Sequence, residues 1–112
     1  MTDKTGPSLP SISIVTPNYN GAEFLQASID SVISQGVAGL EYVVVDGDST
    51  DGSQLIIDQF RHSLSRTIIE PDTGHANALN KGFAQTSGEI MGWLNSDDIL
   101  LEGTLKFVQR LF

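Results

Sequence analysis

The chain has 112 residues, of which 39% are hydrophobic and 18% charged, and its formal net charge is −8 at pH 7. This composition indicates one globular domain, and the negative charge argues against a nucleic-acid partner because phosphate backbones would be repelled. The chain has no cysteine, which excludes disulfides, thiolate zinc sites and thiol nucleophiles.

The first ten residues, 1–10, are polar and are predicted to form a disordered tail. They lack the apolar stretch of a signal peptide, and no apolar run in the chain reaches the roughly 20 residues that span a bilayer. We therefore expect a cytoplasmic protein with no membrane segment in this chain. Self-association into a homo-oligomer is left open.

Apolar spacing predicts alternating strands and helices over residues 11–112. Short β-branched runs predict the strands, and apolar residues three or four positions apart predict the helices. The predicted strands are 12–16, 41–46, 67–69 and 89–94. The first predicted helix is 22–35 and the third is 75–85. The second is predicted to be capped by Ser49 or Thr50 and to have an inner stripe of Leu55, Ile56 and Phe60. The last helix is marked by its apolar residues Leu105, Val108, Leu111 and Phe112.

This fourfold alternation predicts an α/β fold, with a parallel sheet between helices on both faces. Ligands of such sheets bind beyond the carboxyl ends of the strands, where the strand order reverses. Polar clusters follow three of the predicted strands, at 16–20, 46–49 and 95–98. We therefore expect a binding site at that edge.

Asp97 and Asp98 are adjacent carboxylates behind a predicted buried strand. Two such groups repel each other unless a cation or a donor lies between them, and magnesium or manganese would satisfy them through oxygen ligands. The alternative is that one aspartate caps the last helix and the other is solvated. The polar clusters at the same edge favour the metal site.

Asp46 ends the second predicted strand, where an unpaired buried carboxylate would be costly. It could accept the ring N–H of uracil, which cytosine lacks, or it could shape a turn before Gly47. Tyr19 could line a base pocket or belong to the core. Lys81 could reach a phosphate, although most lysines are simply solvated. A lone histidine such as His75 is not assigned a role.

Phosphate-binding glycine loops of the P-loop and G-x-G-x-x-G types are absent from the sequence. Four segments taken together instead resemble glycosyltransferase family 2, from Ile12 to Leu101. They are S-I-V-T-P-N-Y-N at 13–20, V-V-V-D-G-D-S-T-D-G at 43–52, E-P-D-T-G-H-A-N-A-L-N-K-G-F at 70–83, and G-W-L-N-S-D-D at 92–98. Their order and spacing make the resemblance specific.

The resemblance implies a GT-A-type, Rossmann-like three-layer α/β/α fold, here the nucleotide-sugar-binding part of the domain at 11–112. It implies a nucleoside-diphosphate sugar as donor, usually a UDP-sugar, with manganese or magnesium, and a role in polysaccharide biosynthesis with a sugar or glycan acceptor. By resemblance, the nucleoside pocket contains Thr16, Pro17 and Tyr19, and the base binds Asp46 near the loop of Asp48. The resemblance also implies that the diphosphate and the sugar are bordered by Gly74, Asn77 and Asn80. It implies that the metal is held by Asp97, with help from Asp98.

Two positions depart from the family pattern. Asn95 stands where the first acid of the D-x-D signature is expected, and Leu79 stands where the family has an arginine. The family's inverting transfer also needs a general base. The resemblance implies that this base lies beyond Phe112, so we expect a donor-binding part that transfers no sugar by itself.

Two rival interpretations remain open. The segment D-G-D-S-T at 46–50 fits the signature of haloacid-dehalogenase-like phosphatases, with Asp46 as nucleophile and Asp48 as acid. Lys81 and the pair Asp97–Asp98 would complete that site. The other rival is a nucleotide-binding fragment that makes the donor contacts and performs no chemistry.

Overall fold

A computed structural model describes residues 9–112 of the chain. The predicted disordered tail falls mostly on residues 1–8, which lie outside the described residues. All four predicted strands and all four predicted helices are present. In chain order the elements are β1 (Ile12–Asn18), α1 (Ala22–Ile33), β2 (Glu41–Asp46), α2 (Ser53–Phe60), a 3-10 turn (Arg61–Ser63), β3 (Arg66–Ile69), α3 (His75–Phe83), β4 (Ile90–Trp93) and α4 (Thr104–Leu111).

The four strands form one parallel sheet in the order β3-β2-β1-β4. From β1 the chain moves to β2 and β3 on one side, and then crosses to place β4 on the other side of β1. The strand order therefore reverses at β1, and the crevice between β1 and β4 is where this architecture places ligands. The predicted α/β fold with a parallel sheet is confirmed.

Side chains alternate between the two faces of the sheet, as the two-residue period of a strand requires. Both faces are covered by helices, which confirms the three-layer arrangement. On one face, Ile12, Ile14, Tyr42 and Val44 pack with Leu25, Ile29 and Val32 of α1, Ile57 of α2 and Leu105 of α4. On the other face, Val15, Val43 and Val45 pack with Ala78 of α3.

Pro17 ends the pairing between β1 and β4. The carbonyls of Ser11 and Val15 accept from Ile90 N and Leu94 N of the β4 segment, so alternate residues of β1 point their backbone groups toward β4. Pro17 is the next residue in that series, and proline has no N–H to donate. Beyond this point β1 pairs with β2 alone, through Pro17–Val45 and the following residue pair.

Three local predictions were wrong: the cap of α2, the place of Leu55 in the inner stripe of α2, where this residue is 71% exposed, and the end of the stripe of α4. Gly52, with a φ of 95°, precedes α2, whereas Ser49 and Thr50 do not cap it. Asp51 Oδ1 accepts from Ser53 N at 3.0 Å instead, so a side chain one residue before Gly52 satisfies the first turn.

In α4, Leu105 is buried, as predicted, and Gln109 is buried with it. Leu111 and Phe112 are exposed and do not extend the predicted stripe. The Gln109 amide donates to the Pro10 carbonyl at 2.9 Å, which satisfies its polar group. None of the helices in the described part of the chain is long and apolar enough to cross a membrane.

Gly82 lets α3 lie directly on the sheet, because a Cβ there would overlap Val15 Cγ1 and come within 3.1 Å of Val45 Cγ2. We expect Gly82→Ala to lower the free energy of unfolding by about 1–2 kcal/mol, since overpacking outweighs the gain in helix propensity. Urea denaturation measures the change. Gly92→Ala is the matched control, because a Cβ on Gly92 meets only Ile14 Cδ1 at an ordinary 3.6 Å. Equal stability of the two variants would contradict this account of the α3 contact.

Candidate functional site

A cleft of about 820 Å³ lies beyond the carboxyl ends of β1, β2 and β4. Four loop segments line it, at 17–19 with 21, 47–48, 71–75 with 78, and 95–97. Among them are three carboxylates, Asp48, Asp72 and Asp97, and no lysine or arginine. The cleft is therefore negatively charged, so an anionic ligand would need a cation to enter it with favourable electrostatics.

Asp46 does not line this cleft. Its side chain is fully buried, and its two carboxylate oxygens accept hydrogen bonds from inside the protein. Oδ1 accepts from Asn18 Nδ2 at 2.8 Å and from Ser49 Oγ at 2.7 Å, and Oδ2 accepts from Ser49 N at 2.8 Å. Three donors compensate the cost of burying a charge. These contacts engage the Asp46 carboxylate inside the protein, which favours the alternative in which Asp46 shapes the turn over a contact with a base.

Thr16 is also buried and does not reach the cleft. Its hydroxyl lies 2.7 Å from the Tyr42 hydroxyl inside the core, where burial raises the pKa of Tyr42. Both Thr16 and Asp46 lie on the α1 side of the sheet, with Ile14 and Val44. The two-residue period of the strands was the signal that could have placed them there.

The end of β1 and the loop that follows it line one side of the cleft. Pro17 and Tyr19 line the cleft, and Tyr19 is 67% exposed, so it is not a core residue. Asn20 has a φ of 53°, a left-handed conformation that is uncommon outside glycine. It is held there because Asn20 N donates to Ser49 Oγ at 2.8 Å and Asn20 Oδ1 accepts from Thr50 N at 2.9 Å.

Asn18 presents a second polar atom at the floor of the cleft. Its Nδ2 is used by Asp46, whereas its Oδ1 is buried and accepts from no residue in the described part of the chain. A Cβ on Gly21 would come within 2.5 Å of this oxygen and 2.7 Å of Ser96 Oγ. A side chain at position 21 would therefore displace Asn18 or Ser96, and glycine avoids this overlap.

Asp48 and Asp72 both line the cleft. Asp48 is exposed and left-handed, with a φ of 68°, and it lines the cleft as the resemblance implied. Asp72 was missed by the sequence analysis. A Cβ on Gly47 would lie 2.9 Å from Asp72 Oδ2 and 3.3 Å from Tyr19 Cδ1, so the carboxylate and the ring lie beside Gly47. Asp72 belongs to the quoted segment E-P-D-T-G, and a D-x-G turn there was the available signal.

The loop before α3 is held by its own side chains. Asp72 Oδ1 accepts from Gly74 N, and Asn77 Oδ1 accepts from Thr73 N, each at 3.0 Å. Gly74, with a φ of 126°, lines the cleft as expected. Asn77 and Asn80 do not line it: Asn77 supports the loop from behind, and Asn80 is exposed farther along α3.

Lys81 is also outside the cleft. Its ammonium group donates to the Pro71 carbonyl at 2.8 Å and lies 3.3 Å from Glu70 Oε2, so it fastens the Pro71 loop to α3. The phosphatase alternative therefore receives no support, because its nucleophile Asp46 is buried and Lys81 is directed elsewhere.

The loop after β4 separates the two predicted metal ligands. Asp97 lines the cleft, whereas Asp98 is exposed and does not. Asp98 N donates to the Asn95 carbonyl at 3.0 Å, which closes the turn. No group of three or more histidine, cysteine, aspartate or glutamate residues within the described ranges is arranged to hold a metal. Magnesium commonly binds through one or two carboxylates plus substrate phosphates, so Asp97 alone fits that mode.

The profile of "Glycosyl transferase family 2" matches residues 13–112. A putative teichuronic acid biosynthesis glycosyltransferase of Bacillus subtilis is 33% identical over 92 residues, which cover 80% of this chain and 36% of that protein. The chain spans about a third of the length of the curated relatives it matches.

Two solved structures have a similar fold. Staphylococcus aureus TarS 1–349 in complex with UDP-GlcNAc has a TM-score of 0.80 and 27% identity, over 89% of this chain and 30% of that one. The mannosyltransferase PcManGT from Pyrobaculum calidifontis, in complex with GDP-Man and Mn²⁺, has a TM-score of 0.80 and 27% identity, over 93% of this chain and 33% of that one.

The Asp46 hydrogen bonds give a stability prediction. We expect Asp46→Asn to lower the free energy of unfolding by about 2–4 kcal/mol, because an amide loses the charge and turns an N–H toward buried donors. Chemical denaturation measures the change. Asp48→Asn is the matched control; its side chain is exposed, so we expect a change within about 0.5 kcal/mol. A stability for Asp46→Asn equal to that of the control would contradict the structural role of Asp46.

Proposed function

Because the chain belongs to glycosyl transferase family 2, we propose that it binds a nucleoside-diphosphate sugar, with uridine as the nucleoside, for inverting transfer of the sugar to a glycan acceptor. TarS was solved in complex with UDP-GlcNAc, and PcManGT was solved in complex with GDP-Man and Mn²⁺. A role in polysaccharide biosynthesis is supported by the name of the Bacillus subtilis relative. The cytoplasmic location and the oligomeric state stay predictions.

One observation carries the proposal: three carboxylates and no lysine or arginine line a cleft at the point where the strand order reverses. A diphosphate would be repelled by Asp48, Asp72 and Asp97 acting alone. A divalent cation between Asp97 and the diphosphate changes the sign of that interaction. The cleft therefore suits a nucleotide that arrives with its metal.

Asp97 is the residue proposed to hold the metal, because it is the carboxylate of the β4 loop that lines the cleft. When bound, manganese or magnesium would supply Lewis-acid stabilisation of the departing diphosphate. Asp98 is exposed and does not line the cleft, so the proposed metal site does not include it.

The base is proposed to bind between Tyr19 and Asp72. The exposed Tyr19 ring offers a flat apolar surface, and Asp72 Oδ2 accepts from none of the residues the structure describes. Uracil presents a ring N–H that a carboxylate can accept, whereas cytosine presents a lone pair at the same position. We therefore move the role first given to Asp46 to Asp72, with Asp48 at the rim of the same pocket.

Donor binding is the step that this cleft can perform. Transfer also needs a general base within reach of the acceptor hydroxyl, and each carboxylate at the cleft already has a part in the nucleotide site. This chain matches about a third of the length of its relatives. We propose that the general base and the acceptor site of those relatives lie in the part that this chain does not match. The chain alone is then a donor-binding unit.

The metal role of Asp97 is tested by UDP binding with and without manganese. We expect wild type to bind UDP more tightly with manganese, and Asp97→Asn to lose at least about tenfold of that affinity, the scale on which metal sites respond to altered ligation. Asp98→Asn should behave like wild type, since its carboxylate lies outside the cleft. Calorimetry or a thermal shift gives the affinities. Equal losses in both variants would contradict the assignment.

The base pocket is tested by comparing UDP with CDP. We expect wild type to prefer UDP, and Asp72→Asn to weaken UDP binding by about tenfold through loss of a charge-assisted hydrogen bond. The affinity for CDP should change little, which separates base recognition from a general effect on the loop. A uniform loss for both nucleotides would show that Asp72 acts only through loop structure.

A further inference from the structure

His75 and Asn95 form a hydrogen-bonded pair at the edge of the cleft. His75 is the first residue of α3, and Asn95 follows β4 in the loop that contains Asp97. The distance from His75 Nε2 to Asn95 Oδ1 is 2.8 Å. The imidazole also stands edge-on to the Trp93 ring, with 6.4 Å between centroids and 72° between planes. Two contacts thus fix the imidazole against the β4 segment.

The pair determines which end of the Asn95 amide is available. A carbonyl oxygen can only accept, so the proton of this hydrogen bond is on His75 Nε2. Because Oδ1 accepts from His75, the group that remains available is the Nδ2 amide. Its two N–H groups donate a hydrogen bond to no residue in the range 9–112. Both Asn95 and His75 line the cleft beside Asp97.

We propose that His75 is a positioning residue that turns Asn95 so that its N–H groups, and not its oxygen, contact the diphosphate of the bound donor. This inference rests on the proposed function. Asn95 stands where the family pattern has an acid, so the site binds the phosphates through a neutral hydrogen-bond donor and holds the metal with Asp97 alone. The donor's own phosphates then complete the metal coordination.

The charge of the cleft explains why a neutral hydrogen-bond donor, and not a carboxylate, is favourable at position 95. Asp48, Asp72 and Asp97 already line the cleft. An additional carboxylate would repel both Asp97 and the incoming phosphates, whereas an amide N–H donates to a phosphate oxygen without adding charge. The Asn95 backbone is held as well, because its carbonyl accepts from Ser28 Oγ at 3.2 Å and from Asp98 N at 3.0 Å. The amide is therefore presented by a fixed loop.

The test compares UDP and uridine as ligands of the chain, by NMR titration, which measures affinities into the millimolar range. We expect Asn95→Ala to weaken UDP binding by about tenfold, the effect of one hydrogen bond to a charged group. Uridine binding should be unchanged because uridine has no phosphate. The loss of UDP affinity should persist in EDTA, since the contact is made to the diphosphate and does not pass through the metal.

The role of His75 is tested with two variants of similar polarity. His75→Gln keeps an N–H at the reach of Nε2 and should retain UDP affinity, whereas His75→Asn is too short and should weaken UDP but not uridine. In wild type, histidine ring ¹⁵N shifts should show the proton on Nε2. Asn95→Ala binding UDP like wild type, a loss that disappears in EDTA, equal losses for His75→Gln and His75→Asn, or a proton on Nδ1 alone would overturn the inference.

Failure of the proposed function gives a different result. If wild type binds neither UDP nor uridine at several millimolar with manganese, both proposals fall. If wild type binds UDP and the Asp97→Asn variant loses its metal dependence, the nucleotide site stands, and the Asn95 and His75 variants then decide the inference separately.

Discussion

The buried carboxylate of Asp46 is the interaction on which the rest of the site depends. It joins the ends of β1 and β2 through Asn18 and Ser49, and the same Ser49 hydroxyl receives Asn20 N. Two adjoining loops therefore take their shape from one anionic group. The left-handed backbone of Asn20 and Asp48, which costs on the order of 1 kcal/mol per residue, persists because this surrounding network determines it.

The fold could be predicted because it follows from local patterns. The β-branched runs and the helical spacing specify four strand–helix repeats, and the four quoted segments specify the family, whose membership and GT-A-type fold are confirmed. Element ends were less accurate: α2 begins at Ser53, after Asp51 and Gly52, whereas the sequence predicted Ser49 or Thr50 as its cap. Which of several neighbouring polar residues caps a helix depends on which of them is already hydrogen-bonded to another strand. That depends on the tertiary structure and not on the local sequence.

The cleft lies at the edge of the sheet where the sequence predicts a site, but it is lined by only some of the predicted site residues. Pro17, Tyr19, Asp48, Gly74 and Asp97 line the cleft. Of the other predicted site residues, Thr16 and Asp46 are buried, Asn77 is hydrogen-bonded to the loop before α3, and Asn80 and Asp98 are exposed. Counting two-residue steps along β1 and β2 would have placed Thr16 and Asp46 on the core side. No count along the chain relates Asp72 to Gly47, or His75 to Asn95, because those pairs meet only after α3 and β4 cross the sheet.

Pro17 has a consequence for how the cleft responds to a ligand. Because this residue cannot donate to β4, the two strands cannot close the crevice by extending their ladder, with or without a nucleotide present. The separation of the two strands at this point thus follows from the covalent structure of the chain. A donor bound as proposed would not have to break pairing between β1 and β4 here, so no part of its affinity would be lost in separating strands.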